Sequence, residues 1–478
     1  SSFYTLYGDQ SAVQRDAASQ DKLYLKLEKT QFFALFGDFN TALQGGELSA
    51  YSRSMNGLQS EYQGEVFEYS AFLSEADQAF IRDEIRGDGT SGIYRMRNRE
   101  VVINSERVLI QTRDRFRSEE ILETREMRRF VDYNIDYEAG TLFFKEPIFS
   151  QDSAFNPTFI IADYEVAGDG SNQINAGGRI GYRPIEDLEI GATLVTEGVK
   201  GRENKLLGTD LEYRINDTTQ VRAEIATSTS EFEGETINGT AYIAEITHRD
   251  EALDATAYLR EQQGGFGLGQ QNSSETGTRK MGVETTYDVT ENIGLQGEVF
   301  RQTALATGAN QDVATSTMNY QGDNFSLSSG LRTAMTNAGE EDAVSNQLLL
   351  GGSYDILEGK ARLSANADTP IGGQNSVGNF PSRLRVGLDY KLTEDITLNA
   401  QQEFTFGEDQ DTQGSRIGMT SSLWEGGDLV TSVQRDDQEN SQRLAAVAGL
   451  KQRWDMNDNW SFDFGVDRSQ TFQDEQRA

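Results

Sequence analysis

The side chains with chemical reach in this chain are arginines. Arg82 through Arg129 holds twelve of them against ten acids, so that window stands near +2 while the whole chain carries −34. Arg113, Arg115 and Arg117 alternate, and on a strand that spacing puts three guanidiniums on one face. With Arg125, Arg128 and Arg129 they make a set suited to gripping carboxylates through paired N–H donors rather than to moving protons. Two readings are open. The set docks this stretch as a plug or cap onto an acidic wall formed by the rest of the chain, or it pairs inside its own domain with Glu119, Glu120, Glu123 and Glu126. The interleaved acids argue against a nucleic-acid patch.

Little else looks catalytic. His248 is the one histidine and there is no cysteine, so zinc-type sites, which need clustered His or Cys, cannot form. His248 sits in Thr247-His248-Arg249-Asp250 at a predicted short turn. It reads there as a girdle or turn residue rather than a general base. Glu340-Glu341-Asp342 and Glu408-Asp409-Gln410-Asp411 read as solvated charge on outer loops, where Ca²⁺ or Mg²⁺ is the one conceivable ligand. Gly264–Gly269 lies between two strands with no helix after it, so the nucleotide-loop context fails. No other cofactor and no enzymatic activity is expected.

The elements that position these residues repeat. In Leu384–Phe404, Leu384, Val386, Leu388 and Tyr390 alternate with Arg385, Gly387, Asp389 and Lys391; a polar turn follows, and the alternation resumes at Ile396. That is a hairpin with one apolar and one polar face. Similar hairpins carry an aromatic before the short turn at Tyr182, Tyr213, Tyr287, Tyr320, Tyr354, Tyr390, Trp424 and Trp454, with His248 in the same place once, about 34 residues apart. Two strands of roughly 11 residues, one short turn and one longer loop fill such a unit, which is the arithmetic of a transmembrane β-barrel. The tagged aromatics fall where an interfacial girdle sits. A soluble solenoid or a row of sandwiches would need no aromatic at one edge each time.

Composition agrees with one large sheet. Of 478 residues 36% are hydrophobic, 47 are Gly and 5 are Pro. Low hydropathy is compatible with strands that turn only alternate residues to lipid. The reading is all-β: a large antiparallel transmembrane β-barrel of about 22–26 strands with an inserted small β domain. Residues 1–80 supply the first barrel strands, 81–170 the insertion and 171–478 the hairpin repeat. Five strands precede the insertion (Phe3–Gly8, Asp21–Glu28, Phe32–Asp38, Tyr51–Tyr62, Val66–Ser74) and eighteen follow from Gln173, and the total of 23 is odd where an even count is expected. With no signal segment at the start and no aromatic at the end, the chain reads as cut from a longer polypeptide. An acidic lumen preferring cations is expected from the net charge.

Four segments carry a resemblance: Phe3–Ser11 (FYTLYGDQS), Lys22–Thr41 (KLYLKLEKTQFFALFGDFNT), Arg113–Pro147 (RDRFRSEEILETREMRRFVDYNIDYEAGTLFFKEP) and Phe159–Val166 (FIIADYEV). They resemble the C-terminal barrel region of very large bacterial outer-membrane surface proteins that bear long arrays of Ig-like repeats. The run Asp132–Phe144 is also similar to segments of the giant translocon barrel of the type nine secretion system. Neither family supplies catalytic residues. The resemblance implies an outer-membrane barrel that anchors or exports a large surface region, with the pore occluded by the insertion. Its partners would be outer-membrane lipid and lipopolysaccharide, and flanking surface repeats or an exported protein. A cation-preferring passive porin is the alternative, and an envelope enzyme a distant third.

Overall fold

The computed structural model describes residues 25–476 apart from 44, 77–78, 90, 116, 119, 146–147, 153–155, 167–172, 200–201, 233–234, 270, 272–274, 338–341, 372–379, 407–410, 439–440 and 458–459. The expected strand Phe3–Gly8 and most of the acidic loop runs therefore lie outside the described residues.

Twenty-nine strands follow one another without a helix among the described residues. The first group is β1 (Leu25–Lys29), β2 (Phe32–Leu43), β3 (Tyr51–Gln63) and β4 (Phe67–Ala76). The insertion holds β5 (Ala79–Arg86), β6 (Tyr94–Arg95), β7 (Arg107–Arg113), β8 (Ile121–Met127), β9 (Tyr133–Asp136), β10 (Thr141–Phe144) and β11 (Thr158–Val166). Then come β12 (Gln173–Ile185), β13 (Leu188–Val199), β14 (Arg202–Asn216), β15 (Thr219–Phe232), β16 (Glu235–Arg249) and β17 (Leu253–Gln262). They are followed by β18 (Thr278–Thr290), β19 (Ile293–Ala304), β20 (Asn310–Gln321), β21 (Phe325–Asn337), β22 (Asp342–Ile356) and β23 (Ala361–Pro370). The last six are β24 (Ser382–Lys391), β25 (Ile396–Phe406), β26 (Thr412–Trp424), β27 (Gly427–Gln438), β28 (Ser441–Asn457) and β29 (Trp460–Gln476).

β1–β4 and β12–β29 form one antiparallel sheet of 22 strands, and β4 pairs with β12 across the insertion. The eighteen strands expected after Gln173 are all present. Two expectations change. The sheet does not close: β1, five residues long, pairs only with β2, and β29 only with β28, among the described residues. The loop opposite each short turn is not always long. Two residues separate β13 from β14 and β15 from β16, because the strands themselves run to 12–15 residues.

The two faces of the sheet reverse the habit of a water-soluble protein. One face exposes Leu194, Leu207, Ile225, Val283, Val299, Leu331, Leu350, Val386 and Ile417. The other buries Arg53, Glu197, Glu224, Arg260, Arg332, Gln347, Asp368, Arg385 and Gln434. Apolar outside and polar inside, alternating with period two, is the pattern of a sheet whose outer solvent is hydrocarbon.

β2 departs from this pattern by carrying an apolar inner face. Leu35, Phe39 and Leu43 join Tyr51, Phe72, Val195, Leu206, Ile243, Leu48 and Phe266 in a dry cluster on the inner side. Leu48 and Phe266 arrive from the loops after β2 and β17, so Gly264–Gly269 is part of a loop that plugs an apolar corner. The strand does not end at Phe36-Gly37-Asp38 either. Gly37 pairs with Gly57 across the ladder, both at positive φ, and a Cβ on Gly57 would collide with the Leu73 carbonyl. Glycine bends the hairpin there instead of stopping it.

The insertion folds as two small sheets, β5-β11-β7-β8 and β6-β10-β9. They enclose Tyr94, Val108, Tyr133, Leu142, Phe144, Ile160 and Tyr164, with the Tyr94 and Phe144 rings edge to face at 5.7 Å. At about 1.5–3 kcal/mol for each large apolar side chain buried, this core is independent of the wall.

Candidate functional site

The insertion meets the wall through its lower end and one upper corner. Arg115 donates to Asp368 of β23 at 3.0 Å. Arg117 pairs with Glu284 of β18, lies 3.8 Å from Glu245 of β16 and stacks 4.4 Å over the Tyr258 ring of β17. Arg385 of β24 donates to the carbonyls of Gln151, at 3.1 Å, and Asp152, while Gln151 donates to Glu403 of β25. Arg416 of β26 lies 4.8 Å over the Phe149 ring. At the upper corner Glu165 accepts from Arg53 of β3 at 3.3 Å.

These contacts determine the curvature of the wall. β3 is the third strand and β26 the nineteenth in the sheet order; laid flat they would stand roughly 75 Å apart. A compact body of the insertion's size is about 30 Å across. One body touches both, so the sheet curls around it with the polar face inward. All wall partners lie on that inner face.

Of the six arginines expected to face the wall, Arg115 and Arg117 do. For the other four, the contacts seen among the described residues lie within the insertion. β7 stops at Arg113 with a bulge after Thr112, and Asp114 then accepts the Arg117 amide at 2.8 Å to make a turn. The three guanidiniums therefore do not share a strand face. Arg113 pairs with Glu84 at 3.1 Å inside the insertion. Arg128 pairs with Asp132 and Arg129 with Glu106 and Tyr137, and Arg125 is exposed on the edge strand β8. The alternative partners are used in part: Arg117 reaches Glu120 at 3.4 Å and Arg107 reaches Glu126 at 3.0 Å.

Sequence reasoning missed the wall's contribution. Period-two alternation puts Arg385, Glu403 and Asp368 on the polar faces of their strands, a signal that was legible. Which of the many polar-face residues meet the insertion depends on contacts more than 200 residues apart. The inner face is also not simply acidic. Arg332 donates to Asp368 at 3.3 Å and to Gln347 at 3.0 Å, and Arg260 is clamped by Glu245 and Glu275. The net charge of −34 thus does not carry over to the wall around the seat. Glu224 accepts three backbone amides, of Glu47, Leu48 and Ser49, at 2.7–3.0 Å, and ties the β2–β3 loop to the inner wall.

Inside the insertion, burial pushes the Tyr133 phenol well above its usual range, with Glu106 adding to it. Burial also raises Tyr164, which donates to Asp83 at 2.7 Å. Arg107 beside Glu126 holds that carboxyl below its usual value.

Tyr182, Tyr213, Tyr287, Tyr320, Tyr354, Trp424 and Trp454 are exposed on the outer face within a few residues of the short turns, and Tyr390 occupies the same row half-buried. His248 stands in that row too, between the Thr219 hydroxyl at 2.9 Å and Asp250 at 3.2 Å. Above the same turns, on the inner face, lies a polar cavity of about 730 Å³ lined by Gln296, Asn319, Ser328, Ser353 and Asn366 among others. Its lining includes the turn residues Glu291 and Asn292 and extends no more than five residues into the strands, whereas the wall partners of the insertion lie at least four residues in from the short-turn ends of their strands. The cavity therefore lies beneath the insertion. Among the described residues no three His, Cys, Asp or Glu side chains group as a metal site.

No protein family model and no curated protein matches the chain. Solved structures with a similar arrangement include the P pilus usher (PapC) translocation pore, at 12% identity and a TM-score of 0.37 over 94% of this chain and 85% of that one. The ferric enterobactin receptor PfeA of Pseudomonas aeruginosa, in a mutant form, aligns at 10% identity and a TM-score of 0.42 over 91% of this chain and 74% of that one. The FrpB iron transporter of Neisseria meningitidis aligns at 10% identity and a TM-score of 0.36 over 62% of this chain and 71% of that one. At these values no residue role passes from them to this chain.

Proposed function

We propose that the chain is a bacterial outer-membrane β-barrel whose lumen is occluded by the 79–166 insertion, and that it anchors or exports a large surface region. One observation carries the reading: a sheet with an apolar outer face and a polar inner face curls around a small domain and grips it with Arg–carboxylate pairs. The outer row of Tyr and Trp matches the level of a membrane interface. The polar cavity lined by residues near the short turns supports a block at mid-depth rather than at the mouth. Anchoring or export rests on the resemblance of residues 3–166 to barrels that follow long repeat arrays. The role we propose is non-enzymatic; the one histidine, His248, sits on the outer face, opposite to that of the seat.

The test is conductance. In planar bilayers the full chain gives small or rare openings, and deletion of 79–166 with a short Gly-Ser joint between β4 and β12 gives a wide, steady pore. Equal conductance in the two would exclude the insertion as an occluder. The reversal potential of the deleted form separates a cation-preferring porin from a non-selective conduit. A chain that stays monodisperse in buffer without detergent would remove the membrane reading itself.

A further inference from the structure

Between the insertion and the wall, at the end of the strands opposite the short turns, lies a second cavity of about 400 Å³. Arg86–Gly89 and Phe149–Ser150 bound it on one side and β25–β27 on the other. Its charged groups already have partners. Asp88 accepts from Tyr94 at 2.5 Å, Glu403 from Arg385 at 2.8 Å and Asp437 from Arg435 at 2.9 Å, and Arg416 lies over Phe149 at 4.8 Å. Three carboxylates against Arg86 and Arg416 leave the lining slightly acidic, which disfavours an anion. What the lining leaves unmet is a neutral group. Gln434 is only 3% exposed, yet neither its Oε1 nor its Nε2 meets a hydrogen-bond partner among the described residues. One oxygen of Asp437 is buried in the same condition. A buried primary amide with both ends idle is costly, and such groups are normally satisfied. Gln434 pairs across the ladder with Arg416, and Arg416 with Gln401, so two amides flank one row of the inner face. Two strand spacings separate them, roughly 10 Å.

The site therefore calls for a solute without net charge whose groups donate and accept at once. Hydroxyls do both, and a volume of this size lies within the range of small-molecule sites. We propose that this cavity binds a neutral sugar, with neighbouring ring hydroxyls on the Gln434 amide and a hydroxyl across the ring toward Gln401. One hydroxyl donates to the Gln434 Oε1 while its neighbour accepts from Nε2, and the idle Asp437 oxygen is a further acceptor. A gap of two strand spacings is filled by one six-membered ring with a hydrogen bond at either side. Such a solute touches both insertion and wall and therefore favours the seated arrangement. The position at the rim opposite the short turns leaves two sources, a free sugar or the terminal sugar of a surface glycan. The inference rests on the contact between insertion and wall, not on whether that contact closes a pore.

D-Glucose, D-galactose and D-mannose are the probes, titrated calorimetrically into the full chain in a detergent that carries no sugar headgroup. Saturable binding of at least one is expected, weakened about tenfold or more by Gln434→Leu and by Gln401→Leu. Delipidated core oligosaccharide of lipopolysaccharide separates the two sources: tighter binding than the free sugar assigns a surface glycan, weaker binding a free solute. Circular dichroism of each variant confirms that the sheet is retained, and Gln401→Leu decides the matter if Gln434→Leu unfolds. Absence of saturable binding by every sugar and by the oligosaccharide, which would mean a cavity filled by water alone, overturns the proposal. So does unchanged affinity in the variants that fold. Citrate bound as tightly as the sugars would also overturn it, because charge rather than hydroxyl pairing would then select the solute. Conductance plays no part in this readout, so a failed plug and a failed site give different results.

Discussion

Replacing Asp368 by alanine tests the seat most directly. Its carboxylate accepts from Arg115 of the insertion at 3.0 Å and from Arg332 of the wall at 3.3 Å, and its side chain is 7% exposed. Removing one partner of a buried pair costs about 3–5 kcal/mol because the remaining charge keeps its desolvation penalty. Here Arg332 retains Gln347 as an acceptor, and Arg115 can turn to lumen water once the insertion lifts. The share that falls on the seated state alone is therefore nearer ~2–4 kcal/mol. That shifts the seated-to-lifted ratio by roughly thirty- to a thousand-fold. Single-channel recording reads it as more frequent or longer openings to the level of the 79–166 deletion. Arg115→Ala should give a smaller effect, since it removes the cation and leaves Asp368 with Arg332. The double variant should fall short of the sum of the two, because the residues act through one contact. Gating indistinguishable from the unaltered chain in Asp368→Ala, alongside a wide pore in the deletion, would refute the idea that ion pairs hold the insertion.

Two further expectations concern the membrane face and pH. Val299→Arg puts a cation in the middle of the exposed apolar face and should lower barrel stability by about 2–4 kcal/mol in a denaturant titration in vesicles. Gln296→Arg, on the inner face of the same strand, should cost far less; equal costs would mean the outer face does not meet lipid. In the insertion, the phenols of Tyr133 and Tyr164 are raised above their usual value by burial. A raised folded-state pKa contributes stability that is complete below the unfolded value near pH ~10 and is lost as pH climbs past it. The insertion should thus loosen in strong base, and Tyr133→Phe should reduce that loss. Tyrosinate absorbance rising for all tyrosines together near the free value would contradict it.

The membrane-type wall was legible from side-chain parity alone. Leu384, Val386 and Leu388 against Arg385, Gly387 and Asp389 already say that two solvents of opposite character face this strand, and the Tyr and Trp tags say where one of them ends. Parity is local, so it survives without any knowledge of the fold. The β9–β10 hairpin of the insertion is local in the same way, turning at Glu138-Ala139-Gly140 with Gly140 at positive φ. The arginines were not legible. Arg113, Arg115 and Arg117 share a parity in the sequence, but the turn at Asp114 breaks their strand and sends Arg113 to Glu84 and the other two to the wall.

The chain by itself determined the alternation, the repeat, the absence of thiol and clustered-histidine chemistry, and the existence of an arginine-rich interruption, because each depends on neighbours within a hairpin. Only the tertiary structure decided which carboxylates meet Arg115 and Arg117 and that the inner face of β2 is dry. It alone also places Gln434 in a cavity without a partner among the described residues. Those outcomes depend on how far the sheet curls, and curl is a sum over 22 strands that no single segment encodes.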